Sequence, residues 1–232
     1  MKEESYFRFF TFGLSKFADR SLIKIREKIF HHFLDSFTPN KDQKILDVGV
    51  SADDHPSSNI FEKYYPHTHA ITAVGLGDFS ELEQVYPGLT YRKVDGRTLP
   101  FANHHFDYVY SHAVIEHVGS AARQIEYIKE LYRVAKTGVM FTTPNRNHPI
   151  EFHTGLPFMH YLPGILYRKI YQLFGKNFYA VEENLILLRK SDIKKLVHSA
   201  LGSTGYQIQF KYTFWPFPLA ANIIVIIKKA LL

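Results

Sequence analysis

The run Asp47-Val-Gly49-Val-Ser51-Ala-Asp53-Asp54-His55 gathers residue types that chemistry uses, directly behind the apolar stretch 44–49 (KILDVG). A glycine at the end of a buried strand lets a ligand come close to the backbone, as nucleotide-type cofactors require. A dinucleotide would need two further glycines and a clean helix N-terminus for its pyrophosphate. Here Gly49 is followed by Val50, Ser51 and Ala52, so neither glycine is present. Asp53 and Asp54 would also confront a phosphate, and a like charge at ~5 Å costs about 3 kcal/mol at an effective dielectric of about 20. NAD, FAD and ATP are therefore disfavoured. The acidic loop suits a cationic ligand without phosphate.

Two histidines stand where a proton could be handled. His112 follows the apolar run 106–111 (FDYVYS), and His153 lies two residues after Glu151 in 149–154 (PIEFHT). An imidazole can act as a base near neutral pH, with Glu151 to orient it. Either histidine can equally line a pocket without taking part. The thirteen histidines show no familiar ligand spacing: the pairs are His31-His32, His67/His69 and His104-His105. With no cysteine and no helix carrying a paired-histidine motif, no metal site is expected.

Regular alternation should position these residues. Apolar strands are predicted at 44–49, 70–75, 90–94, 106–111 and 139–143. Helices are predicted at 57–65, 80–86 and 124–135, the last closed by Gly138 as a C-terminal stop. Residues 1–40 read as a helical extension. Leu22, Ile25, Ile29, Phe33 and Phe37 form one stripe, Asp19 or Ser21 caps it, and it packs on the edge of the main domain. A helix at 191–199 and two late strands, 207–213 and 222–228, complete the chain as an edge hairpin. The expectation is one α/β domain over 1–232. Its core is a doubly wound, mostly parallel, seven-stranded sheet with an antiparallel C-terminal hairpin. The cofactor-binding core spans 41–146, a cover is inserted at 147–190, and the last helix and strands fill 191–232. Ligands then bind outside the carboxyl ends of the strands.

Four segments in order carry a resemblance: KILDVG, AVGLGD at the second strand end, VDGRTLPF, and FDYVYSHAVIEHV, followed by ELYRVAKTGVMFTTPNR. Over 44–146 the chain resembles the class I S-adenosylmethionine-dependent methyltransferases, in particular the small bacterial type 11-like group. The resemblance implies a Rossmann-like fold and S-adenosylmethionine as cofactor. It places Asp47 and Gly49 under the amino acid end of that cofactor, with Ser51 nearby. Asp95 would meet the adenine amino group, and Gly96 and Arg97 would border the ring. Ser111 and His112 would lie beside the reacting methyl, and Glu116-His117 would begin the next helix. The family's ribose-binding acid falls at Asp78 rather than at Gly77, and the first motif lacks its further glycines.

Residues 147–190 are rich in histidine, proline and aromatics, and 154–181 contain no acid. The stretch 156–179 reads as a lid over the acceptor, or as an interfacial segment that meets anionic lipid. The leading expectation is methylation of a small-molecule or amphiphilic acceptor, lipid-linked or an envelope intermediate. An RNA methyltransferase and a non-catalytic scaffold on the same fold are the alternatives. Net charge is +6, yet there is no dense Lys/Arg stripe, so nucleic acid is disfavoured as a partner. The first residues show no apolar signal core and the chain has no cysteine. The expected location is cytoplasmic, with peripheral contact at the inner membrane face.

Overall fold

The computed structural model describes residues 15–52, 55–215 and 218–230. Seven strands form one sheet: β1 (Ile45–Val48), β2 (Ile71–Gly75), β3 (Thr90–Lys93), β4 (Phe106–His112), β5 (Ala135–Pro144), β6 (Tyr206–Phe214) and β7 (Ala220–Lys229). Their order is β3-β2-β1-β4-β5-β7-β6. The first five are parallel, and β7 runs antiparallel between β5 and β6. This is the doubly wound sheet with its C-terminal hairpin that the alternation predicts.

Side-chain alternation sorts the sheet into two cores. On β7, Ile223, Val225 and Ile227 join one cluster, while Ile224 and Ile226 join the other. A strand whose successive residues are apolar on both faces must have both faces covered. The first face is covered by α4 (Ala121–Val134) and α7 (Lys190–Leu201). The second is covered by α1 (Ser15–Phe37) and the short α2 (Ile60–Tyr64), through Ile29, Phe30, Phe33 and Phe61. The α3 helix (Leu82–Val85) is a single turn beside β3.

Several expectations need correction. The first helix does not sit at an edge: it closes a whole face, with Phe33 buried against Phe61, Tyr108 and Tyr110. It already runs from Ser15, so neither Asp19 nor Ser21 starts it. The α4 helix begins at Ala121, where the Ser120 hydroxyl accepts from the Arg123 amide at 3.5 Å. Glu116-His117 belongs to a separate 3-10 turn, Ile115–His117, that precedes it. Gly138 is no helix stop, because α4 passes straight into β5. A Cβ at Gly138 would overlap the Phe37 ring and stand 2.9 Å from the Ile227 carbonyl, so this glycine lets α1 close on the sheet.

The cover contains α5 (Gly164–Leu173) and the single-turn α6 (Asn177–Ala180). Tyr167, Tyr171, Ala180, Leu185 and Leu187 form its own small core. Backbone hydrogen bonds tie it down: Ile186 donates to the Glu116 carbonyl at 2.9 Å and Arg146 to the Leu188 carbonyl at 3.0 Å. The cover is thereby fastened to the loop after β4 and to the end of β5.

Candidate cofactor and acceptor site

The chain leaves β1 toward β2 on one side and returns as β4 on the other, so the loops after β1 and β4 diverge. A cavity of about 1000 Å³ opens there, at the carboxyl ends of the strands. Its wall holds Asp47, Gly49 and Ser51 after β1, Asp95, Gly96 and Arg97 after β3, His112 at the end of β4, and His153 from the cover. Four separate chain segments thus bring these predicted residues to one space.

Two predicted residues stand elsewhere. Ser111 is buried beneath the cavity floor, with its hydroxyl 2.9 Å from the Val48 carbonyl and 2.7 Å from the Tyr127 hydroxyl. Its strand position turns it into the core. Asp78 is exposed and outside the wall, and its carboxylate accepts from the Ser80 amide at 3.4 Å. Asp53 and Asp54 lie outside the described residues.

The glycine-poor loop is closed by other means. Gly49 adopts φ +109°, and a Cβ there would overlap the Val114 side chain. Asn59, at φ 49°, donates from Nδ2 to the Ser51 carbonyl at 2.9 Å and accepts from the Ser51 amide at 3.4 Å. A side-chain amide therefore holds the loop where the family uses glycines.

Sequence reasoning missed Glu62, a charge on a short helix that looks like a solvent-facing residue. It is buried in the cavity wall with its carboxyl against that of Asp47. Burial pushes the proton affinity of both carboxyls up, and the negative charge of Glu62 raises that of Asp47 further. Such a wall is unfavourable for an anion and attractive for a cation.

Asp95 is partly exposed, and Arg97 grips it through Nε at 3.0 Å and Nη2 at 2.6 Å. The hydrogen bond from Arg97 holds the carboxyl below its usual range. Asp95 is thus an ionised acceptor at the cavity rim at all ordinary pH. Asp95→Ala is expected to weaken S-adenosylmethionine and S-adenosylhomocysteine at least tenfold in titration calorimetry, about 1.4 kcal/mol. Unchanged affinity would remove Asp95 from the cofactor site.

His112 is half-buried in the cavity wall, with Nδ1 2.8 Å from the Thr142 hydroxyl. Burial, and then the positive charge of Arg26, lowers its pKa to about 3. It is neutral at physiological pH and too weak a base to hold an abstracted proton. A hydrogen-bonding wall residue is the better description.

His153 differs. Glu151 is buried, its Oε1 2.7 Å from His153 Nδ1, and it accepts from the His153 and Thr154 amides and the Thr154 hydroxyl. Burial opposes charge on His153, but the Glu151 carboxylate and its hydrogen bond outweigh that and raise the pKa. Glu151 therefore orients His153 and not His112. His153 Nε2 lies 3.0 Å from His117 Nε2. Glu116 is buried beside them, its pKa raised to about 7 by burial, with neither oxygen in hydrogen-bonding geometry. Local spacing gave no sign of this trio, because His153 is 36 residues from His117.

Comparison with known proteins agrees with the geometry. Residues 72–143 match a family model described as a methyltransferase domain. No curated protein matches the sequence. Among solved structures, a methyltransferase of Thermotoga maritima, described as a possible histamine N-methyltransferase, aligns with TM-score 0.56 at 13% identity, covering 94% of this chain and 97% of that one. The 1,6-didemethyltoxoflavin-N1-methyltransferase of Burkholderia thailandensis, with its acceptor and S-adenosylhomocysteine bound, aligns with TM-score 0.58 at 12% identity, covering 94% and 82%. The magnesium protoporphyrin IX methyltransferase of Synechocystis PCC 6803, with S-adenosylhomocysteine bound, aligns with TM-score 0.54 at 12% identity, covering 90% and 84%.

Sheet order, cavity and family match together define a methyl-transferring enzyme that uses S-adenosylmethionine. Over residues 72–143 the chain matches a methyltransferase domain, and its fold is that of the S-adenosylmethionine-dependent methyltransferases. The residues present fit that cofactor: a buried acid pair suits its cationic centres, Gly49 admits it to the backbone, and Asp95 stands at the rim.

Proposed function

We propose that this enzyme methylates a small amphiphilic acceptor, and that its cover meets an anionic lipid surface to reach it. The observation that carries this reading is the apolar exposure of α5: Ile165 is 75% and Leu173 85% exposed, with Leu166, Phe158, Phe174 and Phe178 also on the surface. Large apolar side chains exposed in such number along one segment point to an interaction site. Lys169 and Lys176 border it. Beside α5 a recess of about 370 Å³ holds Arg146 and Arg168. Arg146 Nε and Arg168 Nη1 are buried there without hydrogen-bond partners, and although Glu182 lies 3.9 Å from Arg168 Nη2 in the same recess, two guanidiniums against one carboxylate suit an anionic head group. No helix among the described residues is long and apolar enough to cross a membrane, so the contact is peripheral. The structurally similar enzymes from Burkholderia and Synechocystis are described as acting on small molecules, which supports a small acceptor.

S-adenosylmethionine, when bound, supplies an electrophilic methyl group on a sulfonium. The protein's task is chiefly to position the acceptor in line with it. Asp47 and Glu62 favour the cationic reactant, while neutral His112 and the Glu151–His153 pair form the polar side of the acceptor space. His153, oriented by Glu151, lines the cavity on the side of the acceptor space.

Vesicle sedimentation tests the lipid contact. The protein is expected to pellet with vesicles containing phosphatidylglycerol and not with pure phosphatidylcholine. The double variant Ile165→Asp/Leu173→Asp should lose at least tenfold in partitioning, since each buried side chain contributes about 2 kcal/mol. Its melting temperature and cofactor affinity should be unchanged. If the wild type stays in the supernatant, the acceptor is a soluble small molecule and the apolar face serves another contact.

A further inference from the structure

His117 Nδ1 lies 2.7 Å from the Asn184 carbonyl, and His153 Nδ1 lies 2.7 Å from the Glu151 carboxylate. Neither partner has a proton to give, because the Glu151 oxygens already accept from the His153 amide, the Thr154 amide and the Thr154 hydroxyl. Both imidazoles must therefore donate from Nδ1. In their neutral forms both carry a lone pair on Nε2, and these nitrogens face each other at 3.0 Å. Two lone pairs held so close need a cation to share. Nitrogens ~2.0–2.1 Å from one tetrahedral zinc ion stand about 3.3 Å apart, close to this separation. Glu116 completes the arrangement: ligating atoms of Glu116, His117 and His153 all lie within 4.8 Å of one another.

We propose that Glu116, His117 and His153 form a binding site for a divalent transition metal ion of the zinc or manganese kind. Two imidazoles and one carboxylate are a donor set for such ions. The Glu151 carboxylate and the Asn184 carbonyl, each on a ligand's Nδ1, are the outer partners that fix tautomer and ring orientation in metal sites. His117 and His153 line the cavity, so further coordination positions open toward the acceptor. The ion's role rests on the methyltransferase reading. An acceptor hydroxyl bound to the ion gives up its proton to water, and its oxygen attacks the methyl carbon. The carbon–sulfur bond breaks, and its electron pair remains on sulfur. The favoured acceptor is then an oxygen nucleophile able to ligate a metal.

The test is performed without S-adenosylmethionine, so it does not depend on that reading. Chelator-stripped protein is titrated with Zn²⁺ by calorimetry and with Co²⁺ by visible absorption. The expected result is one ion per chain with a nitrogen-ligated Co²⁺ spectrum. His153→Ala and the shape-conserving Glu116→Gln should each weaken binding at least tenfold, with cooperative melting retained as the folding check. Absence of a stoichiometric Co²⁺ spectrum would mean that a proton bridges the two rings, and would overturn the proposal. Wild-type affinity in both variants would assign the ion to surface histidines and overturn it equally. A protein that binds the metal but not S-adenosylmethionine would sustain the site and remove its assigned role.

Discussion

Glu62→Gln is expected to raise the melting temperature of the ligand-free protein by about 3–6 °C while weakening S-adenosylmethionine about a hundredfold. The two effects have one origin. Glu62 and Asp47 are buried together in the cavity wall, one carboxyl against the other. Burial raises the proton affinity of both, and the charge of Glu62 raises that of Asp47 further. Above the ordinary carboxylate pKa of about 4 the folded state therefore holds more protons than the unfolded chain, and stability falls as pH rises through the folded value. Glutamine removes one charge and offers Asp47 an amide donor, which relieves about 1–2 kcal/mol. In a chain of this size each kcal/mol moves the midpoint by about 2–4 °C. A cationic ligand reverses the balance, because it gains most from two ionised carboxylates. Removing one partner of a buried charge contact costs about 2–5 kcal/mol, and a hundredfold is about 2.7. Differential scanning calorimetry between pH 5 and 8 should show a flatter stability profile in the variant. A lowered midpoint with unchanged affinity would make Glu62 a structural residue and not part of the cofactor wall.

That such a residue was not legible in the sequence has a physical reason. Periodicity reports which side of an element is apolar, and a lone carboxylate in the five-residue α2 carries the signature of a solvated face. Asp47, Gly49 and the run 95–97 were legible because they follow strands directly, where chain direction alone delivers them to the crevice. Ser111 follows the same logic and fails by one step, since alternation along β4 turns it into the core and His112 toward the cavity. The stripe on α1 was readable, but a stripe does not say which surface it covers. Gly138 was misread for a related reason: a glycine after a helix looks like a stop, whereas the requirement comes from Phe37, a residue far away in sequence. The Glu116, His117 and His153 trio is harder still. It exists only because the cover folds back over the loop after β4, a tertiary event that no local spacing encodes.

Gly49→Ala is the sharpest test of how the loops after β1 and β4 share that crevice, and it should lower the melting temperature by about 10 °C. Part of the cost is conformational: at φ +109° an L side chain is strained by about 1–3 kcal/mol. The rest is steric, because the new Cβ would occupy the space of the Val114 side chain, and overpacking costs about 1–3 kcal/mol. Gly202 separates the two terms. It has φ +77° and nothing within 4 Å of a built Cβ, so Gly202→Ala should show the strain alone, roughly half the shift. Adding Val114→Ala to Gly49→Ala should then recover the steric part and leave the strain. Val114 lies between His112 and the Glu116-His117 turn, so displacing it moves the polar side of the acceptor space together with the cofactor loop. Gly49→Ala should therefore abolish measurable S-adenosylmethionine binding in calorimetry even below its own melting midpoint. If Gly49→Ala and Gly202→Ala shift the midpoint equally, and the cofactor still binds, the Val114 contact carries no weight. The close approach of the two loops would then not be what shapes the site.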